Sequence, residues 1–194
     1  MWSARSNHLT DVLITEKKAS DSPITLEQML ARRDDRQAQQ QRLLHRFDHA
    51  LTQLTLVNPG PVKDTQQARF VFDEGLRAVR QTLKTASCAV LASESDYFVT
   101  GPEAMLVVSA DARVIKQHMV ALEAEHPLGR LWDIDVIGAD GIGISRQQLN
   151  LPARHCLVCE QPAHVCSRSG QHMLTEVQRA IKDKIDAYCS NTEN

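Results

Sequence analysis

The sequence predicts a single α+β domain in which helices flank a mixed central sheet. Segments with the 3.6-residue apolar period of a helix lie before and after a group of short segments rich in Val and Leu. The chain has 194 residues, of which 42% are hydrophobic and 24% charged, as in an ordinary globular protein. The sequence has no internal repeat of the kind that indicates a solenoid or another repeat architecture.

The N-terminal segment differs from the rest of the chain. Residues 1–23 are polar and end in Ser20-Asp-Ser-Pro23, a composition typical of linkers. We therefore expect a poorly ordered extension over residues 1–23 and a single folded domain over residues 24–190.

Composition excludes several classes of function. The net charge is -2, and the chain has only two Trp, two Tyr and four Phe residues, so a general nucleic-acid partner is not expected. No apolar run reaches the roughly 20 residues of a membrane helix, and the N-terminus lacks the apolar core of a signal peptide. Five cysteines, three of them within residues 156–166, suit a reduced cytoplasmic protein better than a disulfide scaffold.

Capping residues and apolar periodicity locate the elements. Helices are predicted after Thr25, where Gln28 completes a capping box, after Asp64 and after Asp111, and over about 172–188. A short helical region is also expected from Ser145 to Leu149. Strands are predicted at about 54–57, 88–93, 97–100, 104–109 and 131–137.

Two aspartates on the last predicted strand are the main functional signal. Asp133 and Asp135 are two positions apart, so their side chains share one strand face, while the apolar residues beside them point to the other. Neighbouring carboxylates repel each other unless a cation lies between them, and Mg²⁺ prefers oxygen ligands together with substrate phosphates. We predict that this pair binds Mg²⁺ and catalyses phosphoryl or nucleotidyl transfer. The alternative is an acidic pair on an exposed edge strand.

Four further residues are predicted to bind the substrate. Gly129 and Arg130 precede the aspartate strand and Arg146 follows it; glycine allows close approach to the backbone, and arginine binds phosphate through two parallel hydrogen bonds. Lys63 ends the turn Asn58-Pro-Gly-Pro-Val-Lys63, just before a predicted helix. For Lys63, the alternative is an ordinary surface lysine.

Three cysteines and a histidine form a separate pattern. Cys156, Cys159, Cys166 and His172 are spaced as C-x₂-C-x₆-C-x₅-H. Three thiolates and an imidazole can complete a tetrahedral Zn²⁺ site, which would be structural because its ligand set is closed. The alternative is a reduced cluster packed as small apolar side chains.

Several stretches of the chain resemble one family. The run His126-Pro-Leu-Gly-Arg-Leu-Trp-Asp-Ile-Asp-Val136 is similar to the hallmark of the apo-citrate lyase phosphoribosyl-dephospho-CoA transferases, also called holo-acyl-carrier-protein synthases of citrate lyase. The resemblance is collinear over roughly residues 25–185. Its other stretches are Asn58–Lys63, Thr100–Glu103, Ile144–Arg146, Arg154–Glu160, Cys166–Arg168 and His172.

The resemblance implies an enzyme that modifies a protein. Members transfer phosphoribosyl-dephospho-CoA from 2'-(5''-triphosphoribosyl)-3'-dephospho-CoA to a serine of the acyl-carrier subunit of citrate lyase and release pyrophosphate. For this chain it implies that Asp133 and Asp135 are the catalytic, Mg²⁺-binding residues. Two alternatives remain: a related transferase that charges the carrier of malonate decarboxylase, and a non-catalytic zinc-knuckle adaptor.

The Asp-x-Asp strand also resembles the metal motif of polymerase-β-type nucleotidyltransferases and implies a related fold. Those enzymes carry a Gly-Ser pair upstream, whereas this chain has only Gly129-Arg130. They also use a third carboxylate, for which the sequence offers Asp140, Glu160 or Glu103. His126 is a candidate base for the serine hydroxyl.

Overall fold

The computed structural model describes residues 18–192, so most of the predicted extension, residues 1–17, lies outside the described residues. The elements in chain order are α1 (Leu26–Phe47), β1 (Ala50–Leu56), α2 (Gln66–Thr85), β2 (Ala89–Phe98), β3 (Gly101–Ser109), α3 (Ala112–Glu125), a 3-10 helix (Gly129–Leu131), β4 (Trp132–Ile137), a second 3-10 helix (Gln147–Leu149), α4 (Ala163–Ser169) and α5 (Leu174–Thr192).

Within residues 18–192 the strands form one sheet in the order β2-β3-β1-β4. The predicted α+β class, with helices around a central sheet, is confirmed. The sheet is antiparallel throughout rather than mixed, since β2 and β3 form a hairpin and β1 runs antiparallel to both β3 and β4. Strand direction depends on long-range pairing, which the local patterns of a single sequence do not encode. The order leaves β2 and β4 as the edges of the sheet.

The main core lies between one sheet face and helices α2, α3 and α5. Trp132 of β4 is fully buried there and donates a hydrogen bond from Nε1 to the carbonyl oxygen of Val71 over 2.9 Å. Its ring lies against Gly75 of α2, where an added Cβ would be only 2.7 Å from Nε1. Glycine at this position therefore lets the indole pack directly on the helix backbone.

Helix α1 covers the opposite sheet face. Leu43 of α1 packs in a small buried cluster with Leu51 of β1 and with Met105 and Val107 of β3. Residues paired across adjacent antiparallel strands project to the same face, and the register places Leu51 opposite Val107 on one side and Ile137 on the other. The face under α1 therefore continues across β1 to the aspartates of β4.

Local signals located several helix boundaries. Thr25 caps α1 in the predicted capping box with Gln28, and Asp111 caps α3 by accepting hydrogen bonds from two backbone amides. The residue that caps α2 is Thr65, not Asp64, because Asp64 instead accepts a 2.6 Å hydrogen bond from Nε of Arg69. None of the helices within the described range is long and apolar enough to cross a membrane.

Other predicted boundaries were wrong. Strand β1 begins at Ala50, not at residue 54, because buried polar residues interrupt its apolar pattern. The predicted strands 88–93 and 97–100 are one continuous strand, β2, whose polar middle lies at the sheet edge. The region after Ser145 forms only a 3-10 turn, helix α4 was not predicted, and the last helix runs from Leu174 to Thr192.

Candidate functional site

Asp133 and Asp135 lie on the edge strand β4 and point to the α1 side of the sheet. Asp133 is paired with Thr55 of β1, and Asp135 with Gln53. The Asp133 side chain is 48% exposed and Asp135 is exposed, whereas the neighbouring Trp132 is fully buried on the other side of the strand. The strand alternation thus gives the shared, accessible carboxylate face that the sequence predicts.

Arg154 forms an ion pair with Asp133. Its Nη1 donates a 2.7 Å hydrogen bond to Oδ1 of Asp133, and its Nη2 donates to the carbonyl oxygen of Trp132. Its Nε is buried and has no hydrogen-bond partner among the described residues. The sequence analysis assigned Arg154 no role, although it begins the stretch Arg154–Glu160 that resembles the family.

Two buried charged residues of α3 form hydrogen bonds to the backbone of β4 along its free edge. Glu123 accepts a 3.0 Å hydrogen bond from the amide of Ile134, and Lys116 donates a 2.6 Å hydrogen bond to the carbonyl oxygen of the same residue. These side chains therefore satisfy backbone groups that a neighbouring strand would otherwise bind. Sequence reasoning missed both, although charges seven positions apart on the buried side of an amphipathic helix were a detectable signal.

Arg146 and Arg154 both meet Glu123. Arg146 forms an ion pair with Oε2 of Glu123, and Nη2 of Arg154 lies 3.6 Å from Oε1. The carboxylate of Glu123 thus holds two arginines beside the aspartate strand. Arginines fixed in this way are suited to binding phosphate oxygens, since their orientation is set before a ligand arrives.

The electrostatics of Asp135 favour a bound cation. The surrounding protein partly shields its carboxylate from water, and this, with the negative charge of Asp133, raises the pKa of Asp135 above its usual value. Burial lowers the pKa of Lys116, the nearby cation of α3. Asp135 makes no hydrogen bond or ion pair to the described residues. Two accessible carboxylates, one of them without a partner, fit Mg²⁺, which binds few protein ligands and retains water or phosphate oxygens.

Arg130 and Gly129 lie just before β4. Nη2 of Arg130 donates a hydrogen bond to the carbonyl oxygen of His155, and burial, with the nearby charge of Arg154, lowers the pKa of Arg130. Gly129 is buried, and an added Cβ would lie 2.5 Å from the carbonyl oxygen of Glu123. This glycine is thus required for packing against the end of α3.

Lys63 lies at the same end of the sheet as Asp133. The loop that carries it leaves β1 where β4 begins, because the amide of Val57 donates a 2.8 Å hydrogen bond to the carbonyl oxygen of Leu131. Nζ of Lys63 donates to the carbonyl oxygen of Asn58, and burial lowers the pKa of this lysine. A Cβ added at Gly101, the first residue of β3, would lie 3.7 Å from Cβ of Lys63. The family-like stretches 58–63, 100–103 and 126–136 therefore meet at one end of the sheet.

No third carboxylate joins the aspartate pair in a metal-binding group within residues 18–192. Glu103 lies on β3, beyond β1, and is bound by Arg32 and Arg36 of α1. Asp140 accepts a 2.9 Å hydrogen bond from the amide of Ile142, within its own turn. Glu160 lies in the loop that contains the cysteines.

His126 lies on the opposite side of the sheet from the aspartates. Its ring centroid is 4.5 Å from that of Trp132, which belongs to the main core. Its Nδ1 accepts a 3.1 Å hydrogen bond from the amide of Leu128, and burial lowers its pKa. These contacts give His126 a packing role at the end of α3 and place it away from the candidate site.

The cysteines and histidine that the sequence singled out converge. The candidate ligand atoms of Cys156, Cys159, Cys166 and His172 all lie within 4.8 Å of one another. The cysteines are free thiols. Burial opposes ionisation of Cys156, but hydrogen bonds from the amides of Val158 and Cys159 outweigh it and lower the pKa of this thiol. Burial and its neighbouring thiols raise the pKa of Cys166 to about 12. The group could bind a metal ion such as Zn²⁺.

A large cavity lies away from these residues. It has a volume of about 1510 Å³ between α2 and the edge strand β2, and it is lined by acidic and basic side chains that include Asp73, Arg77 and Arg80. The candidate base His126 lines it, but the aspartates and the predicted substrate-binding residues do not. The cavity and the aspartates are at opposite edges of the sheet.

Comparison with known proteins identifies the family. The CitX family model, described as apo-citrate lyase phosphoribosyl-dephospho-CoA transferase, matches residues 24–188. A curated protein of that name from Escherichia coli O1:K1 / APEC is 39% identical over 172 residues, which are 87% of this chain and 94% of the relative. A protein of the same name from Shigella boydii serotype 18 gives the same identity and coverage. This chain therefore belongs to the apo-citrate lyase phosphoribosyl-dephospho-CoA transferase family.

Proposed function

We propose that this chain attaches phosphoribosyl-dephospho-CoA to a serine of the acyl-carrier subunit of citrate lyase, with Asp133 and Asp135 as Mg²⁺-binding catalytic residues. Family membership supports the transferred group and the citrate lyase acceptor. The observation that carries the assignment of the site is the accessible carboxylate pair on β4, beside arginines held by Glu123.

The donor is 2'-(5''-triphosphoribosyl)-3'-dephospho-CoA. The serine oxygen forms a bond to the α-phosphorus of the triphosphate, the bond from that phosphorus to the β-phosphate oxygen breaks, and pyrophosphate leaves. The hydroxyl proton passes to solvent or to a carboxylate of the site. The product is a phosphodiester between the carrier serine and the prosthetic group. Such in-line displacement requires positioning and charge stabilisation more than covalent help from the protein.

The two aspartates hold the cation that this chemistry uses. When bound, Mg²⁺ orients the phosphate oxygens and offsets the negative charge that develops on pyrophosphate. Asp135, whose carboxylate has no hydrogen bond or ion pair among the described residues, would be one ligand of the cation. Asp133 accepts from Arg154 at Oδ1, so its second oxygen would be the other ligand.

Basic side chains around the pair are suited to the triphosphate. Lys116, Arg130, Arg146 and Arg154 outnumber the three carboxylates of Glu123, Asp133 and Asp135, although the whole chain has a net charge of -2. A local excess of positive charge attracts an anionic substrate to this edge of the sheet. We propose Arg130, Arg146, Arg154 and Lys63 as phosphate-binding residues, with Gly129 shaping the backbone beside them.

We also place the reaction in the cytoplasm. Cys159 and Cys166 form no disulfide, although their sulfur atoms are only 3.5 Å apart. A reducing compartment preserves such an arrangement.

The transfer is tested directly by mixing this protein with the apo-carrier, the triphosphoribosyl donor and Mg²⁺, then measuring the mass of the carrier. We expect the mass to rise by one phosphoribosyl-dephospho-CoA group. Asp133→Asn and Asp135→Asn should each slow labelling by about two to three orders of magnitude while the protein stays folded. The matched control is Asp34→Asn, on the exposed side of α1, which should label at the normal rate.

Two outcomes would contradict the proposal. A folded Asp133→Asn/Asp135→Asn double variant that labels the carrier normally would exclude these residues from catalysis. Faster labelling of the apo-carrier of malonate decarboxylase than of the citrate lyase carrier would assign the chain to the related transferase activity instead.

A further inference from the structure

We propose that Cys156, Cys159, Cys166 and His172 bind one structural Zn²⁺ ion, which holds the segment containing Arg154 against β4. This inference goes beyond the transfer reaction, because it concerns how the loop between β4 and α5 is ordered. It rests on the arrangement of the four side chains and on the composition of the loop around them.

The distances within the group match a tetrahedral site. Zinc bonds of about 2.3 Å to sulfur and about 2.0 Å to nitrogen place two sulfur ligands about 3.8 Å apart, and a sulfur and a nitrogen about 3.5 Å apart. The sulfur atoms of Cys159 and Cys166 are 3.5 Å apart, and Nε2 of His172 is 3.3 Å from the sulfur of Cys159. Both distances are within about 0.3 Å of the tetrahedral values, and all four ligand atoms lie within 4.8 Å of one another.

The four ligands also form a complete set. Three thiolates and one imidazole are a usual ligand combination for structural zinc, and they leave no open position for a substrate. Cys156 and Cys159 are on a turn, Cys166 is on α4, and His172 lies in the connection between α4 and α5. One ion would therefore join three successive parts of the loop.

The loop lacks a core that could order it otherwise. From Ala139 to Lys184, the only residue that is buried is Cys166. Small folded units that bury little apolar surface are commonly stabilised by a metal or by disulfides. The thiols here are free, which leaves metal binding as the cross-link that the residues support.

The loop between β4 and α5 that contains the cysteines, here called the cysteine loop, is connected directly to the candidate active site. Arg154 precedes Cys156 by two positions and binds Asp133, and the carbonyl oxygen of His155 accepts a hydrogen bond from Arg130. The base of the loop is closed by 2.7 Å backbone hydrogen bonds from Cys156 to Gln161 and from Ala163 to Arg154. An ion that fixes this loop therefore also fixes Arg154 beside β4.

Metal analysis of full-length protein, purified without a histidine tag or a chelator, tests the site. We expect about one zinc per chain, and we expect Co²⁺ substitution to give the visible absorption bands of tetrahedral cobalt–thiolate coordination. Cys159→Ser and His172→Ala should lose the metal, whereas His172→Cys should retain it because four thiolates also complete a zinc site. The control Cys189→Ser changes a half-buried cysteine outside the cluster and should leave the zinc content unchanged.

Hydrogen exchange tests the ordering of the loop. The amides of Cys156 and Ala163 should exchange at least about tenfold faster in zinc-free Cys159→Ser than in the wild type, while the amides of β1 should be unaffected. If Cys159→Ser does not fold, wild-type protein stripped with excess chelator gives the same comparison.

Three results would overturn the inference. Less than about one-tenth of an equivalent of zinc in the wild type would exclude the site. A Cys159–Cys166 disulfide in freshly purified protein would show that two of the ligands serve another purpose. If the amides of Cys156 and Ala163 exchange at the wild-type rate in a folded, zinc-free variant, zinc does not order the loop. These measurements use no substrate, so their outcome and that of the transfer assay are independent.

Discussion

Arg154 donates a hydrogen bond from Nη1 to Oδ1 of Asp133 over 2.7 Å and so joins the cysteine loop to the edge strand β4. The bond occupies one oxygen of Asp133 and leaves the partner-free carboxylate of Asp135 beside it. An arginine in this position limits the repulsion between the two carboxylates before a divalent cation binds. Its guanidinium is also of the type that binds phosphate oxygens. The same guanidinium can therefore hold the site together and contact the substrate.

We predict that Arg154→Lys lowers the rate of transfer even though the charge is kept. Lysine cannot donate simultaneously to Asp133 and to the carbonyl oxygen of Trp132, as the planar guanidinium does. Loss of one hydrogen bond to a charged group costs about 1.5–3 kcal/mol, so kcat/KM should fall by about 10- to 100-fold. Carrier labelling under initial-rate conditions measures this. Arg33→Lys, on the exposed part of α1, is the control; a normal rate in Arg154→Lys would restrict Arg154 to loop packing.

Glu123→Ala should be the most destabilising charge change near the site. Its buried carboxylate binds the amide of Ile134 and forms an ion pair with Arg146, and truncation leaves these groups without that partner. Removing one member of a buried ion pair costs about 3–5 kcal/mol. Urea denaturation followed by circular dichroism measures the change in unfolding free energy. Glu27→Ala, exposed in the first turn of α1, is the comparison and should cost less than about 1 kcal/mol. Equal values for the two variants would contradict the edge-capping role of Glu123.

Sequence reasoning located the aspartate face because strand alternation is a local property. The residues that alternate with the aspartates, Trp132, Ile134 and Val136, are apolar, so the pattern itself separates a buried from an accessible side. The cysteine cluster was also predictable, since C-x₂-C spacing places two thiols on one turn. Both signals depend on residues that are close in the chain.

The residues that organise the site were missed because their contacts are long-range. Arg154 and Asp133 are 21 positions apart, and Glu123 meets Ile134 only because α3 packs along the free edge of β4. A buried Glu or Lys on a helix resembles an ordinary surface residue until the packing of that helix is known. For the same reason the antiparallel order β2-β3-β1-β4 was not predictable from strand composition alone. The likeness to polymerase-β-type enzymes stays a prediction.

We predict that Asp135→Asn stabilises the metal-free protein at neutral pH and removes its response to Mg²⁺. Shielding from water and the charge of Asp133 raise the pKa of Asp135 above its usual value, so the folded chain holds this proton more tightly than the unfolded chain. That stabilising contribution is complete below the unfolded pKa and is lost as pH rises through the raised folded pKa. At neutral pH the wild type therefore carries an unfavourable charge, which asparagine removes; solvent screening keeps the effect modest.

Thermal unfolding with and without Mg²⁺ measures this effect. Mg²⁺ should raise the Tm of the wild type, with an increment that shrinks as pH falls through the raised pKa of Asp135, because protonation competes with the cation. The Tm of Asp135→Asn should not change with Mg²⁺. Asp34→Asn should behave as the wild type does. An equal Mg²⁺ increment in Asp135→Asn would show that the cation binds elsewhere.

The last prediction concerns the packing that holds β4 in place. Gly75→Ala should destabilise the fold by about 1–3 kcal/mol, because the new Cβ would lie 2.7 Å from Nε1 of Trp132 and 2.9 Å from its ring, which is fully buried and has little room to move. Alanine favours a helix interior by about 1 kcal/mol over glycine, so any net loss measured on α2 understates the clash. Chemical denaturation measures it. Gly143→Ala is the matched control, since nothing lies within 4 Å of the added atom there. Trp132 and Asp133 are neighbours on β4, so a shift of the indole should also move the aspartate. We therefore expect the folded fraction of Gly75→Ala to be less active in transfer than the wild type. Full activity of the folded variant would show that packing around Trp132 does not affect the site on the other face of β4.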